Sequence, residues 1–342
     1  MALTLGATCE PRSVCPLTEA SPLHMYHLDH TQQRKMADRL MTSVSQCLHN
    51  LTSKLSFSPS SEGKPSPDCR FQFMSDLHLE LGRQYATYDF PVTAPFLILA
   101  GDIGCLSHYD EYLSFLQRQT VRYKRVFLVL GNHEYYHLSR SAGLEKARQM
   151  EKEPVLAGKV TLLQQDSYTI PEQPDVTLLG CTLWSFIPRE ASAAISSVMN
   201  DFKHIEGWTV DAQNEVHAAD LAWLHKEVEM IRRDAKQQGS SKRTVVVVTH
   251  HAPLTAGTSS PSHKGSPLNA AFATNVCESG NWQPVRYWVF GHTHWTTGIE
   301  TNGVRVVANQ RGHVFSPGKN LDSKLEKRPV EHTFDPARVI EV

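Results

Sequence analysis

The sequence is short of the features that most often decide a chain's class before its individual residues are read. Its charge is nearly balanced, formally -1 at pH 7, which removes the usual ground for expecting nucleic acid or an anionic membrane as the main partner. It has no uninterrupted run of about 18 apolar residues, so no membrane span is expected. Its start, MALTLGATCEPRSVCP, has neither the basic region nor the apolar core of a secretory leader. Seven cysteines, at positions 9, 15, 47, 69, 105, 181 and 277, are odd in number and form no CxxC pair. That pattern argues against a disulfide framework and a thiolate zinc site, and it suits a reducing compartment. The expectation is an intracellular, cytoplasmic protein, in which the formal glycosylation triplet Asn50-Leu51-Thr52 is a chance occurrence.

What the chain does have is length and apolar content, with 342 residues of which 40% are hydrophobic, enough to bury a substantial core. It also has 18 histidines. No internal repeat of fixed period occurs. Residues 1–69 differ from the rest, with scattered Ser, Thr and Pro. The spacing of Met36, Leu40, Val44 and Leu48 predicts a helix within Thr31–Leu55, and SFSPSSEGKPSPD, ending at Asp68, reads as a linker. We expect 1–69 to be a partly disordered N-terminal extension, 70–312 the main domain and 313–342 a polar surface tail.

From Arg70 on, short runs rich in Val, Ile, Leu and Phe recur: RFQFMS, PFLILA, RVFLVL, VTLLG, TVVVVT, RYWVF and VRVVA. They have the composition of buried strands. Between them, Leu221, Leu224, Val228 and Ile231 fall on one face of a helix within Glu215–Lys236. Strands alternating with helices predict a layered α/β domain.

Polar residues collect where the apolar runs stop. Asp76-Leu77-His78, Gly101-Asp102, Gly131-Asn132-His133-Glu134, His250-His251 and Gly291-His292-Thr293-His294 follow five of them in order. Singly, each reads as a turn or a surface pair. Five at the ends of consecutive strands can converge in the crevice beyond a sheet's carboxyl edge, where α/β proteins bind ligands. Asp76, His78, Asp102, Asn132, His250, His292 and His294 offer one more donor than a single six-coordinate ion takes, and they suffice for two ions that share Asp102. Nitrogen and oxygen donors without thiolate suit Mn, Fe or Zn, with Mg also feasible. Two divalent ions, two aspartates and a bridging hydroxide sum to about +1, a site that attracts anions. Such a pair activates water and stabilises in-line displacement at phosphorus, so metal-assisted phosphoester hydrolysis is the expected chemistry.

The set DLH, GD, GNHE, THHAP and GHTH resembles the calcineurin-like metallophosphoesterase family in order and in strand-end placement. The resemblance implies a four-layer α-β-β-α sandwich of two mixed β-sheets flanked by helices, with a dinuclear metal centre at the strand ends. It implies that Asp76, His78 and His294 hold one divalent or trivalent ion and Asn132, His250 and His292 the other, with Asp102 between them. A hydroxide bridging the ions is then the nucleophile, and His133 donates a proton to the leaving group and contacts phosphate. The family's protein phosphatase branch has Asp-Arg-Gly after its Gly-Asp, whereas Asp102 is followed here by Ile-Gly-Cys-Leu-Ser. The second histidine of Gly-His-Thr-His is a feature of the branch acting on small phosphomonoesters and on cyclic or nucleotide phosphodiesters.

The family pattern sets the ligand directly after threonine, favouring His250 and leaving His251 behind the ligands or facing substrate. Glu134 either accepts a hydrogen bond beside the site or serves as an acid at a helix start. His137 reads as a helix-surface or packing residue. Leu183–Ile205, with Arg189, Asn200, Asp201 and Lys203, forms either a cleft wall or a peripheral insertion. His263 and Lys264 lie in a loop, GTSSPSHKGSP, that follows the His250 strand and can reach a phosphate or leaving group. The expected partner is a small phosphoester; no nucleic-acid surface or membrane contact is expected, and protein partners are unspecified. A nuclease and a non-catalytic scaffold of the same fold are the alternatives.

Overall fold

The computed structural model describes residues 69–239, 242–314 and 329–342. The helix expected within Thr31–Leu55 and the linker that follows it lie outside the described residues.

Seven strands form where the apolar runs predict them: β1 (Arg70–Met74), β2 (Phe96–Ala100), β3 (Arg125–Val129), β6 (Gln173–Gly180), β7 (Thr244–Val248), β8 (Val285–Phe290) and β10 (Val304–Ala308). Four more, β4 (Val160–Leu162), β5 (Asp166–Ile170), β9 (Thr297–Thr301) and β11 (Val339–Glu341), are short or carry polar residues, and composition alone does not reveal them. One sheet has the order β11-β1-β2-β3-β4 and the other β5-β6-β7-β8-β10-β9. Both are mixed. In the first, β11 runs antiparallel to β1 while β1 to β4 are parallel. In the second, β5 and β9 are the antiparallel edges.

The strands are apolar on both faces because both are covered. Phe96, Ile98 and Ala100 of β2 and Phe127 and Val129 of β3 meet Leu178, Val246, Val248 and Val289 of the opposite sheet. The alternate residues Leu97, Leu99, Val126 and Leu128 point the other way, toward helices α1 (Tyr109–Arg122) and α2 (Arg140–Glu151). On the outer face of the second sheet, Leu179, Val245, Val247 and Trp288 pack with Leu224 and Val228. Those two lie on the long helix α5 (Val210–Gln237). Leu221 and Ile231 join the same cluster, so the helical face read from the sequence is the one that docks. The result is the expected four-layer sandwich. Large-to-small changes in such packed layers cost about 2–5 kcal/mol each.

Between β6 and α5, the segment from Leu183 carries helices α3 (Arg189–Val198) and α4 (Asp201–His204). Ile187, Ile195 and Val210 form a small cluster there with Ala271 of the loop after β7. The assignment of 313–342 to a surface tail needs correction at its end. Arg70 pairs with Glu341 and Phe71 with Ile340, and Ile340 is buried in the inter-sheet core. Alternation of Val339, Ile340 and Glu341 across an edge strand leaves a single inward apolar side chain, too little to stand out in a polar sequence.

Candidate metal centre

The parallel strands β1, β2 and β3 of one sheet and β7 and β8 of the other each end just before one of the five polar blocks. At this edge the sheets are tied together. His250 Nδ1 donates to the Ala100 carbonyl at 2.9 Å, and the Ser75 amide donates to Asn309 O at 3.1 Å. Asp76, His78, Asp102, His292 and His294 all adopt left-handed backbone, with φ of 54°, 47°, 53°, 72° and 51°. This costs about 1–2 kcal/mol for each non-glycine residue and turns each side chain inward. A Cβ at Gly101 would collide with the His250 ring, and one at Gly131 with the Asp102 carboxylate. Only glycine lets these loops approach so closely.

All seven candidate donors come together. Ligand atoms of Asp76, His78 and Asp102 lie within 4.8 Å of one another, as do those of Asp102, His250 and His292. Asp102 thus stands between the two groups. Because carbonyls only accept, His250 carries its proton on Nδ1, and its Nε2 lone pair points at Asn132 Oδ1, 3.1 Å away, and Asp102 Oδ1, 3.4 Å away. Asn132 spends its amide donor on Asp201 Oδ1 at 2.8 Å. On the other side His78 Nδ1 donates to Glu80 Oε1 at 3.1 Å, which leaves its Nε2 lone pair 2.9 Å from His294 Nε2. The His292 ring donates through Nε2 to Ala271 O at 3.3 Å, so its free nitrogen is Nδ1. A buried pocket crowded with nitrogen and oxygen lone pairs favours positive charge, which a proton on a ring nitrogen or a metal ion can supply. The donor set therefore fits metal ions.

The titration behaviour points the same way. Burial opposes a charge on His250, but Asp102, which it faces, and Asp76 raise it to about 10. Burial raises Asp76 to about 6, while Asp102 is held well below the usual carboxylate range by His250 and His133 in spite of its burial. His292, by contrast, is lowered to about 3 by burial and by the neighbouring His250 charge. A proton on His250 stands where positive charge is wanted.

His133 sits beside this group. Its amide donates to Asp102 Oδ1 at 2.9 Å, its Nδ1 donates to Glu80 Oε1 at 2.9 Å, and its ring stacks on Tyr136 with centroids 4.2 Å apart. Burial works against its charge, but Asp102 and Glu80 outweigh this and lift it to about 9. Glu134 is fully buried and takes the hydrogen-bonding role: it accepts from the amides of Asp102 (2.9 Å), Ile103 (2.8 Å) and Gly131 (2.7 Å) and from Tyr112. It clamps the loops after β2 and β3 together.

A cavity of about 510 Å³ opens above these groups, within the range that takes a small organic ligand. Val198, Met199, Asn200 and Asp201 line it, so the segment after Leu183 is a cleft wall. Leu268, Phe272 and His263 also line it, and Leu268 and Phe272 pack in one cluster with Met199. Lys264 is exposed and does not line the cavity. His251 faces away from it: buried behind His292, with rings 4.0 Å apart, it accepts from the Ser185 amide at 3.1 Å. His137 follows the short turn His133–Tyr135 rather than lying on a helix, and it packs on His204.

Two contributors escaped the sequence reading, and a third reads there only as a residue of a cleft wall or peripheral insertion. Glu80 lies two residues past His78, and only the left-handed turn at His78 brings its carboxylate back. Asp201 arrives from the wall segment. His313 follows a stretch that runs alongside the end of β1, where Arg311 and Gly312 amides donate to Ser75 O and Asp76 O at 3.2 and 3.0 Å. Its ring stands 4.4 Å from that of His78 and 4.6 Å from that of His294, and the three histidines form a further potential ligand group. A lone Gly-His after a strand was the only available signal.

A two-sheet sandwich with carboxylate and imidazole donors gathered at its strand ends defines a metal-dependent hydrolase. The sequence model for calcineurin-like phosphoesterases matches residues 69–296, and the chain belongs to that family: it is a metallophosphoesterase, a hydrolase of phosphoric esters. It is 29% identical over 262 residues to the uncharacterized protein L509 of Acanthamoeba polyphaga mimivirus, covering 71% of this chain and 90% of that one. Among solved structures it is similar to the phosphopantetheinyl hydrolase of Mycobacterium tuberculosis, at 20% identity, 72% and 91% coverage and a TM-score of 0.49. A dimetal phosphatase of Danio rerio is similar at 14% identity, 71% and 87% coverage and a TM-score of 0.40. Among the described residues no helix is long and apolar enough to cross a membrane.

Proposed function

We propose that the chain hydrolyses small phosphoesters, either monoesters or cyclic and nucleotide diesters, at a centre of two metal ions. Asp76, His78 and His294 would hold one ion, Asn132, His250 and His292 the other, and Asp102 both. The observation that carries this reading is the convergence of metal-ligating side chains on Asp102: its ligand atoms lie within 4.8 Å of those of Asp76 and His78 and of those of His250 and His292. When bound, the ions supply Lewis acidity toward a phosphoryl group and lower the pKa of water; Mn, Fe and Zn suit the mixed donors best.

The chain's own residues supply the rest. Glu80 holds the His133 ring by Nδ1, which leaves Nε2 free to give a proton to the departing alkoxide, and the His133 charge would complement a phosphoryl oxygen. Tyr136 backs the ring and fixes its plane. The apolar patch of Val198, Met199, Leu268 and Phe272 in the cavity lining would shield the organic part of the ester from water. An intracellular, cytoplasmic setting belongs to the same reading, on the odd number of cysteines.

The test is a panel of phosphomonoesters, cyclic nucleotides, dinucleotides and phosphopeptides, assayed with Mn, Zn and Mg added separately. Turnover of small esters with two ions per chain is the expected result. Failure on every phosphoester while both ions are bound would overturn it.

A further inference from the structure

Asp201 opens the short helix α4 in the cleft wall, remote in sequence from every strand-end block. It is 3% exposed, and one of its oxygens does two things. Oδ1 accepts from Asn132 Nδ2 at 2.8 Å and from the Tyr136 hydroxyl at 2.8 Å. The same hydroxyl lies 3.3 Å from Asn132 Nδ2, so the three side chains close a buried triangle. One corner is the amide whose oxygen faces His250, and another is the ring that stacks on His133.

We propose that Asp201 is a positioning residue that locks the Asn132 amide with its oxygen toward the metal centre and, through Tyr136, holds His133 in place. A carboxamide has two nearly isosteric ends, and only one of them is a metal ligand. Turned over, Asn132 would offer an NH2 group to a cation and to the His250 lone pair. A carboxylate oxygen can only accept, so Asp201 distinguishes the two orientations: it binds the NH2 end and repels the oxygen end. The wall segment is therefore part of the metal centre's construction. This inference rests on the two-ion reading above, and the experiment separates the two.

The probes are Mn(II) and Zn(II), titrated into the full chain against a chelating dye, with elemental analysis of the metals retained. Wild type is expected to bind two ions. Asp201→Ala should keep one and hold the other about 10–100-fold more weakly, the usual loss when a ligand's supporting partner is removed. Asp201→Asn, whose amide can pair with Asn132 in either orientation, should fall between wild type and Asp201→Ala, while the exposed control Lys203→Ala in the same helix should stay close to wild type. Adding Asn132→Asp to Asp201→Ala should restore the second ion, because either oxygen of a carboxylate can face the metal and orientation no longer matters. Should Asp201→Ala fail to fold, Asp201→Leu, of similar volume, carries the same test. Two ions bound to Asp201→Ala with wild-type affinity would overturn the proposal, and so would failure of Asn132→Asp to restore binding. Fewer than two ions on wild type would instead overturn the two-ion reading.

Discussion

Glu80 Oε1 lies 2.9 Å from His133 Nδ1 and 3.1 Å from His78 Nδ1, so a single carboxylate oxygen sets the tautomer of both a candidate metal ligand and the candidate proton donor. The His–carboxylate contacts pull Glu80 down to about 2 in spite of its burial. Its charge therefore persists throughout the working pH range. Glu80→Ala should lower kcat/KM for an alkyl phosphoester by about 10²-fold and for a nitrophenyl ester, whose leaving group needs no proton, by less than about tenfold. Steady-state kinetics on the matched pair provide the check. Equal losses on both esters would place its contribution at His78 instead.

His133→Ala should cost about 10²–10⁴ in rate on the alkyl ester, the range for acid catalysis. The wild-type pH profile follows from the protonation of this residue. His133 is raised to about 9, and the protonated form is the donor, so kcat on the alkyl ester should fall as pH rises through its pKa. Two divalent ions nearby repel the imidazolium and draw that limb below about 9. The limb should vanish for nitrophenyl esters and in His133→Ala. A profile identical for both esters would remove the proton-donor role.

Ion binding should also stabilise the fold. An ion would bind the side chains that the folded chain clusters around Asp102, whereas the unfolded chain offers no preformed site. At about 1,000 times its dissociation constant a single ion adds about 4 kcal/mol. Differential scanning fluorimetry with Mn or Zn should show a rise in Tm of several degrees, reversed by chelator. His292→Ala should keep only part of that rise. A Tm indifferent to every ion would contradict a built metal centre.

Away from the site, Asp220 is a buried carboxylate that accepts from Gln165 Nε2 at 2.8 Å and the Leu183 amide at 2.9 Å, and burial raises it to about 6 from 3.8. A carboxyl that holds its proton more tightly when folded stabilises the protein fully below its unfolded pKa. That contribution is lost as pH climbs through about 6. A tenfold change in proton affinity is worth about 1.4 kcal/mol, so the loss amounts to roughly 3 kcal/mol between about pH 4 and 8. Asp220→Asn keeps an acceptor for Leu183, and Gln165 can turn its amide to match. The variant should unfold in urea with less dependence on pH across this window; an unchanged slope of stability against pH would refute the assignment.

The metal donors were legible in the sequence because each follows a strand written in Val, Ile, Leu and Phe, and strand ends in a parallel sheet must share an edge. The carboxylates and imidazole that hold or flank them were not. Glu80 and His313 lie outside the strand-end blocks and keep no spacing, and Asp201 reads only as part of a cleft wall or peripheral insertion; their placement is decided by the turn at His78, the packing of Ile195 and Val210, and the path of Arg311 and Gly312. The strands β4, β5, β9 and β11 escaped for a related reason. Edge strands bury few side chains, so they leave little apolar signature.

The pairing of β11 with β1 bears on how the protein is made. The first strand carries Asp76 and His78 at its end, yet its outer partner is encoded at Val339–Glu341, after every other strand of both sheets. During translation β1 keeps an open row of backbone donors and acceptors until those residues clear the ribosome, although all seven candidate metal donors have by then been made. Chains cut short before Val339 would present that edge to one another and are expected to aggregate rather than to assemble a weaker enzyme.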